Sequence, residues 1–228
     1  TLSAFSSVSA APARNQLILT AGTAANTTIS TSNYDTEQRA VILSSPLRSW
    51  HVVPAGKNVF VETAPSDDAG FLYAILENGE LRKIIGNIRG LMAVARNDGA
   101  YLAVSSADGG GVRLSVFTPD GMAAGNSPVA TFAEKCAWFP GKTPLLACGV
   151  PRSVAGASVE AWFMGLQSFN DGVWIVNPVQ ETATFVRNLE NEAGRPIDII
   201  DPQVSPDGKY FLFKNKNDLS FWSLDLTR

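Results

Sequence analysis

The stretch SPDGKYFLF at residues 205–213 joins a tight-turn sequence to an apolar strand, and related stretches recur along the chain. They are APARNQLIL (11–19), VPAGKNVFV (53–61), RNDGAYLAV (96–104) and FPGKTPLLA (139–147). Pro, Asn, Asp and Gly favour chain reversal, and the apolar residues that follow favour a β-strand. The second positions are residues 12, 54, 97, 140 and 206, so the spacings are 42, 43, 43 and 66 residues. A β-rich repeat of about 40 residues is typical of β-propeller blades.

The repeat predicts an all-β fold, a β-propeller of four-stranded antiparallel blades, with about five blades in 228 residues. The predicted blades of this single domain are 3–45, 47–88, 90–133, 134–190 and 198–228. The strands expected in blade three are 91–96, 100–106, 111–117 and 128–132. Blade five has sequence for three strands, so we expect an N-terminally truncated chain that forms the C-terminal part of a larger ring. The alternative is a closed five-bladed ring in which Thr1–Ala4 pairs beside residues 219–225.

Composition excludes several functional classes. The chain is 45% hydrophobic and 17% charged, which suffices for one large packed domain. The net charge of −3 and the lack of a basic stripe argue against nucleic-acid binding. No apolar run reaches the length of a membrane span. Because the chain starts at Thr1, an upstream signal or membrane anchor stays open, and we expect membrane contact only through such a segment.

Residues 205–210 (SPDGKY) followed by 221–225 (FWSLD) resemble a TolB-type, WD-like propeller repeat. Residues 173–177 (VWIVN) repeat the second half of that pattern, and the turn phrase extends the resemblance over nearly the whole chain. The Gly-His and Trp-Asp dipeptides of eukaryotic WD repeats are absent from the sequence. The resemblance implies a fold rather than a chemistry.

A narrower resemblance covers about residues 40–228. The phrases are SSPLRSW (44–50), EKCAW (134–138), WFMG (162–165), SFND (168–171) and PID (196–198). They are similar to a group of bacterial envelope propellers whose members carry an N-terminal membrane anchor. This resemblance implies an extracytoplasmic location in the cell envelope.

The sequence contains few of the residue combinations that form catalytic sites. His51 is the one histidine, so a Ser–His–Asp triad must use it, yet no G-x-S-x-G sequence accompanies it. Its apolar strand favours a packed or hydrogen-bonded core histidine. One His and two Cys exclude the usual zinc sets, so we expect no metal and no cofactor. A glycosidase would need paired carboxylates. The candidates, all expected mostly as solvated acids, are Glu134, Asp201, Asp198, Glu190, Glu192 and Asp67–Asp68.

The long fourth period contains 23 extra residues, divided between loops 150–171 and 189–199. Both loops belong to the propeller face that most often binds ligands, and long ordered loops are often functional. The residues chosen as ligand-face candidates are Arg152, Glu160, Trp162, Phe163, Asp171, Glu192 and Asp198. For Trp162 and Phe169, a small satellite core that holds the loop down is favoured. The roles of Arg152, Glu160 and Asp171 stay open.

The two cysteines are expected on neighbouring strands of blade four. With the intervening turn centred on Lys142, Cys136 lies opposite Cys148. Opposed antiparallel residues have Cα atoms about 4.5–5.5 Å apart, within disulfide range. A disulfide would suit an oxidising envelope; two small buried thiols in a reduced protein are the alternative.

Together these patterns predict a non-catalytic binding or scaffold module of the bacterial envelope with a protein or peptide partner. The scarcity of histidine, lysine–acid pairs and metal sets supports this prediction. The alternative is an envelope enzyme, either a carboxylate-based glycan hydrolase or lyase, or the propeller part of a peptidase.

Overall fold

The computed structural model describes residues 7–11, 15–23, 26–34, 38–47, 49–108 and 111–227, in which nineteen strands form five antiparallel sheets. Blade one contains β1 (Ser7–Ala11), β2 (Gln16–Gly22), β3 (Thr27–Asn33) and β4 (Arg39–Ser45). Blade two contains β5 (Trp50–Ala55), β6 (Asn58–Thr63), β7 (Ala69–Ile75) and β8 (Leu81–Arg89). Blade three contains β9 (Met92–Ala95), β10 (Leu102–Asp108), β11 (Gly111–Phe117) and β12 (Ala123–Asn126). Blade four contains β13 (Cys136–Trp138), β14 (Leu146–Pro151), β15 (Asp171–Asn177) and β16 (Thr182–Asn188). Blade five contains β17 (Ile199–Val204), β18 (Tyr210–Asn215) and β19 (Phe221–Asp225).

The sheets are arranged as propeller blades, which confirms the predicted fold class. The first strand of each blade contacts the first strand of the next, from β1 through β5, β9 and β13 to β17. These five strands are therefore innermost and surround a central channel. Later strands of each blade pair outward in sequence order.

Four buried apolar clusters fill the spaces between consecutive blades. Representative pairs are Ile18 with Val52, Phe60 with Leu102, Leu114 with Leu146, and Val173 with Phe211. Each cluster joins the facing surfaces of two sheets, so a blade depends on its neighbours for burial. None of these four clusters joins described residues of blade five to described residues of blade one.

The outer strand of blade three differs from the prediction. We expected it at 128–132, whereas β12 lies at Ala123–Asn126. The backbone N–H of Thr118 donates to the carbonyl of Met122 (2.9 Å), so the chain reverses directly after β11 and the strand begins early.

Blade five has three strands in the described part of the chain, as predicted. Its outermost strand is β19, and Phe221 on that strand is exposed. The pairing of Thr1–Ala4 that would favour a closed five-bladed ring concerns residues outside the described ranges.

Within the described ranges, two short helices and one 3₁₀ turn accompany the strands. They are α1 (Val159–Phe163), α2 (Leu189–Ala193) and the turn Ala133–Lys135 that leads into β13. Among the described residues, no helix has both the length and the apolar character needed to cross a bilayer.

Candidate functional site

Loops 150–171 and 189–199 meet on one face of the propeller, as predicted. The N–H of Asp171 donates to the carbonyl of Ile197 (2.8 Å), and Arg152 Nη1 lies 2.7 Å from Glu190 Oε2. Loop 150–171 contains α1, and α2 begins the second loop. The extra sequence of blade four therefore forms one continuous structure, which we call the insertion.

A fully buried lysine fastens the insertion to the blade. Lys135 Nζ donates to Asp171 Oδ2 (2.6 Å) and to Asp198 Oδ1, and all three side chains have 0% exposure. The backbone N–H of Ile199 also donates to Asp171 (2.7 Å). Burial raises the pKa of Asp171 despite the opposing charge and hydrogen bond of Lys135. Paired and hydrogen-bonded charges of this kind are tolerated inside proteins, where isolated charges are not. We call these three residues the lysine cluster.

Trp162 covers the lysine cluster and is 3% exposed, as predicted. Its Nε1 donates to Asp198 Oδ2 (3.0 Å), and its ring stacks on Phe132 with centroids 5.6 Å apart. Phe169 is also buried, and its N–H donates to Asp198 Oδ2 (3.1 Å). The satellite core expected for Trp162 and Phe169 is therefore present, with a charged centre that was not expected.

Three neighbouring apolar side chains of the insertion are exposed at the end of α1 and just after it. Phe163 is 48% exposed, Met164 59% and Leu166 78%. Trp162 therefore lies in the interior, whereas its neighbour Phe163 lies on the surface.

A groove lies beside the insertion. It has a volume of about 860 Å³ and is lined by residues 150–157 together with Arg89, Asp108 and Val129. This is within the size range of ligand pockets.

Asp67 connects blade two to the insertion. Its carboxylate accepts hydrogen bonds from Ser158 Oγ (2.6 Å) and from the N–H of Val159 (2.7 Å) at the start of α1. Partial burial acts to raise the pKa of Asp67, but these hydrogen bonds and the charge of Arg89 together hold it below its usual value. A carboxylate in this position is a helix cap rather than a catalytic acid.

A second polar group lies at the central channel. His51 on β5 is directly opposite Glu62 on β6, and His51 Nδ1 lies 2.7 Å from Glu62 Oε1. Glu134, in the 3₁₀ turn before β13, brings Oε1 to 3.5 Å from the same nitrogen. Glu62 is fully buried, while the side chains of His51 and Glu134 are 45% and 25% exposed. We call these three residues the channel cluster.

Electrostatics couple the members of the channel cluster. Burial acts to lower the pKa of His51, yet the hydrogen bond and charge of Glu62 and the charge of Glu134 raise it to about 9. Burial raises the pKa of Glu62 to about 7 against the lowering effect of His51. Burial also raises the pKa of Glu134, His51 opposes the rise, and Asp201 adds to it.

The predicted ligand-face residues separate into two sets. Trp162, Asp171 and Asp198 are buried, which removes them from direct contact with a surface ligand and corrects that expectation. The other four are exposed; they are Arg152, Glu160, Phe163 and Glu192.

Most of the carboxylates considered for catalysis have ionic partners. Glu190 pairs with Arg152, Glu192 with Arg187 (3.2 Å) and Asp201 with Lys214 (2.9 Å).

Sequence reasoning missed Lys135 and Glu62. It counted lysine–acid pairs as scarce, but a lysine can pair with acids 36 and 63 residues away, and only the fold brings these together. Glu62 had a usable signal. The turn between β5 and β6 places Glu62 opposite His51. Counting outward from that turn predicts this pair, just as counting from the β13–β14 turn predicts the cysteine pair.

Cys136 lies opposite Cys148 across β13 and β14, as the register predicts. Their Cα atoms are 4.1 Å apart and their sulfur atoms 2.15 Å apart, so the structure contains a disulfide at this position. It joins the innermost strand of blade four to the strand that leads into the insertion.

Comparisons with known proteins show a shared fold. No family model matches the chain, and no curated protein matches it. Among solved structures, a nidogen/laminin complex matches with a TM-score of 0.61 and 11% identity over 93% of this chain and 72% of the other. TolB of Agrobacterium tumefaciens gives 0.58 and 13%, over 88% and 66%. TolB of Acinetobacter baumannii gives 0.59 and 13%, over 94% and 52%. The chain thus spans between about half and three quarters of these proteins, and what it shares with them, the two TolB structures included, is the β-propeller fold.

Proposed function

We propose that this chain is a non-catalytic binding module of the cell envelope that binds a protein or peptide partner through the insertion. The observation that carries the proposal is the combination of a rigid base and three neighbouring exposed apolar side chains. The lysine cluster and Trp162 hold the insertion in place, while Phe163, Met164 and Leu166 face solvent. Contiguous exposed apolar side chains mark interaction sites on folded proteins.

The groove beside the insertion suits an extended polypeptide. Its walls combine apolar residues such as Val129 and Val150 with charges of both signs at Arg89, Asp67 and Asp108. A peptide could place apolar side chains along the wall and pair its charges at the rim, as in other peptide complexes. The nidogen structure is a complex with laminin, which gives an example of this fold in protein recognition.

The location in the envelope is supported by the disulfide. Disulfides persist in oxidising compartments and are rare in the cytosol of mesophiles. Thiol alkylation of the protein purified from its native compartment, followed by mass spectrometry without reduction, tests this. We expect Cys136 and Cys148 to resist alkylation; two alkylated cysteines would contradict an extracytoplasmic location.

The enzymatic alternative has weaker support. Asp198 is enclosed in the lysine cluster, and Asp67 caps α1. The remaining group with shifted pKa values is the channel cluster, which combines one histidine with two carboxylates and contains no serine or cysteine nucleophile in its described surroundings.

Site-specific photo-crosslinking tests the binding surface. A photoreactive residue replaces Phe163 in one variant and Val179 in a control; Val179 is 41% exposed and lies in the β15–β16 turn, at the opposite end of the same blade. In the native envelope we expect a protein adduct from position 163 but not from 179. The substitution Leu166→Ser should weaken that adduct without changing the thermal midpoint. Equal adducts at both positions, or none at 163, would overturn the proposed surface.

A further inference from the structure

The channel cluster brings together three potential metal ligands of two types, an imidazole and two carboxylates, from two blades. His51 belongs to the innermost strand of blade two, Glu62 to the strand beside it, and Glu134 to the turn that begins blade four. Since β5, β9 and β13 adjoin around the channel, residues far apart in sequence meet there. The three side chains offer one ring nitrogen and two carboxylate oxygens within 4.8 Å of one another.

This donor set matches the needs of a borderline transition-metal ion. Zinc binds imidazole nitrogen and carboxylate oxygen at about 2.0–2.2 Å, and sites with three protein ligands leave a position for water. Two ligands of one ion are therefore at most about 4.4 Å apart. The partly exposed side chains of His51 and Glu134 can rotate to close the small remaining difference.

An unpartnered buried atom points to a missing ligand. Glu62 Oε2 is fully buried without a hydrogen bond of normal geometry, and besides His51 the carboxylate has only a weak interaction with the Ala93 backbone N–H. Leaving a buried carboxylate oxygen without a partner costs free energy. A cation bound between the two glutamates would satisfy this oxygen and offset the repulsion between the two carboxylates.

The cluster is also accessible. It opens into a cavity of about 240 Å³ in the channel, lined by residues of β1, β5 and β9 and by Glu134. The cavity admits a hydrated ion and leaves room for water as a further ligand. The lysine cluster, in contrast, is closed to solvent, because all three of its side chains are fully buried.

We propose that His51, Glu62 and Glu134 bind a divalent transition-metal ion, with zinc as the preferred ion. Magnesium and calcium are poorer choices, because they require about six or more oxygen ligands and do not favour imidazole. The metal would join blade two to blade four across the channel. The proposal is independent of the partner surface on the insertion.

Calorimetric titration of the tag-free, oxidised and chelator-treated protein with zinc chloride tests the site. We expect one zinc ion per chain and much weaker binding of magnesium and calcium. His51→Ala, Glu62→Gln and Glu134→Gln should each weaken zinc binding at least about tenfold, the loss that removal of a supporting hydrogen bond already causes in metal sites. Glu77→Gln, which changes an exposed glutamate in the β7–β8 turn of the same blade, should bind zinc as the wild type does.

Glu134→Gln keeps the test decisive if Glu62→Gln does not fold, because Glu134 is partly exposed and precedes the strand; circular dichroism checks the fold of each variant. With cobalt(II) as a spectroscopic probe, the wild type should show visible ligand-field bands that His51→Ala lacks. Absence of zinc binding to the wild type at millimolar concentration would overturn the proposal. Unchanged binding in Glu134→Gln and His51→Ala would do the same.

Discussion

The lysine cluster and the channel cluster start from neighbouring residues and have opposite surroundings. Lys135 faces the interior of blade four, whereas Glu134 reaches the channel. In the lysine cluster, Asp198 accepts hydrogen bonds from Lys135, Trp162 and the Phe169 N–H, under a closed aromatic cover. The channel cluster opens to a cavity.

The difference shows that shifted pKa values alone do not distinguish a structural group from a binding group. Asp171 and Glu62 are both buried, and both have raised pKa values and one unpartnered oxygen. What separates them is the surroundings of their partners. Asp171 and Lys135 are both closed off under the insertion, while Glu62 lies behind His51 and Glu134, which line an open cavity.

Removal of the buried Lys135 ammonium is expected to cause the largest loss of stability. Lys135→Met should destabilise the protein by about 3–5 kcal/mol, because it leaves buried carboxylates without their partner. Equilibrium unfolding in urea measures the loss. The triple variant Lys135→Met, Asp171→Asn, Asp198→Asn is the control, and we expect it to recover part of the stability. A single variant as stable as the wild type would show that the lysine cluster is dispensable.

Removal of Trp162, which covers the lysine cluster, is expected to cause the next largest loss of stability. Trp162→Ala should cost about 3 kcal/mol, since a large buried side chain and its hydrogen bond to Asp198 are both removed. The adjacent Phe163→Ala should change stability by less than about 0.5 kcal/mol because its ring is half exposed. Thermal and urea unfolding of the matched pair compare interior and surface within one helix. Equal losses in both variants would contradict the assignment of Trp162 to the core.

The smallest effect concerns Asp67 and depends on pH. Asp67→Ala should cost about 1 kcal/mol at neutral pH, the usual loss when a side chain that accepts hydrogen bonds at a helix start is replaced by alanine. The pKa of Asp67 is lower in the folded state, so its carboxylate stabilises the fold above the ordinary value of 3.8 and the contribution is lost as the pH falls through the lowered pKa. The difference between wild type and variant, measured by urea unfolding across acidic pH, should shrink below 3.8. A difference that grows at acidic pH would contradict the capping role.

Local patterns predicted the blades because each turn phrase acts through its own backbone preferences. The stretch 205–213 forms its turn and strand where expected, and register arithmetic placed Cys136 opposite Cys148. The same arithmetic would have paired His51 with Glu62 had it been applied to blade two.

The rest of the candidate site depends on the arrangement of blades. Lys135 is 63 residues away in sequence from its partner Asp198. Glu134 comes close to His51 only because blades two and four face one channel. Neither pair has a periodic or spacing signal in the sequence. The outer strand of blade three was misplaced because the turn at 118–122 was not recognised as the start of a short strand.

The two clusters are assigned different roles: the lysine cluster stabilises the insertion, and the proposed role of the channel cluster is to bind a cation. Urea unfolding of the wild type, Asp198→Asn and Glu62→Gln, each with and without zinc, tests both roles in one experiment. At a zinc concentration of one hundred times the dissociation constant, the wild type and Asp198→Asn should each gain about 2.7 kcal/mol. Glu62→Gln should gain at most about 1.4 kcal/mol, the value for a tenfold weaker site. Without zinc, Asp198→Asn should be the less stable of the two variants. A zinc response that persists in Glu62→Gln but is lost in Asp198→Asn would contradict the account.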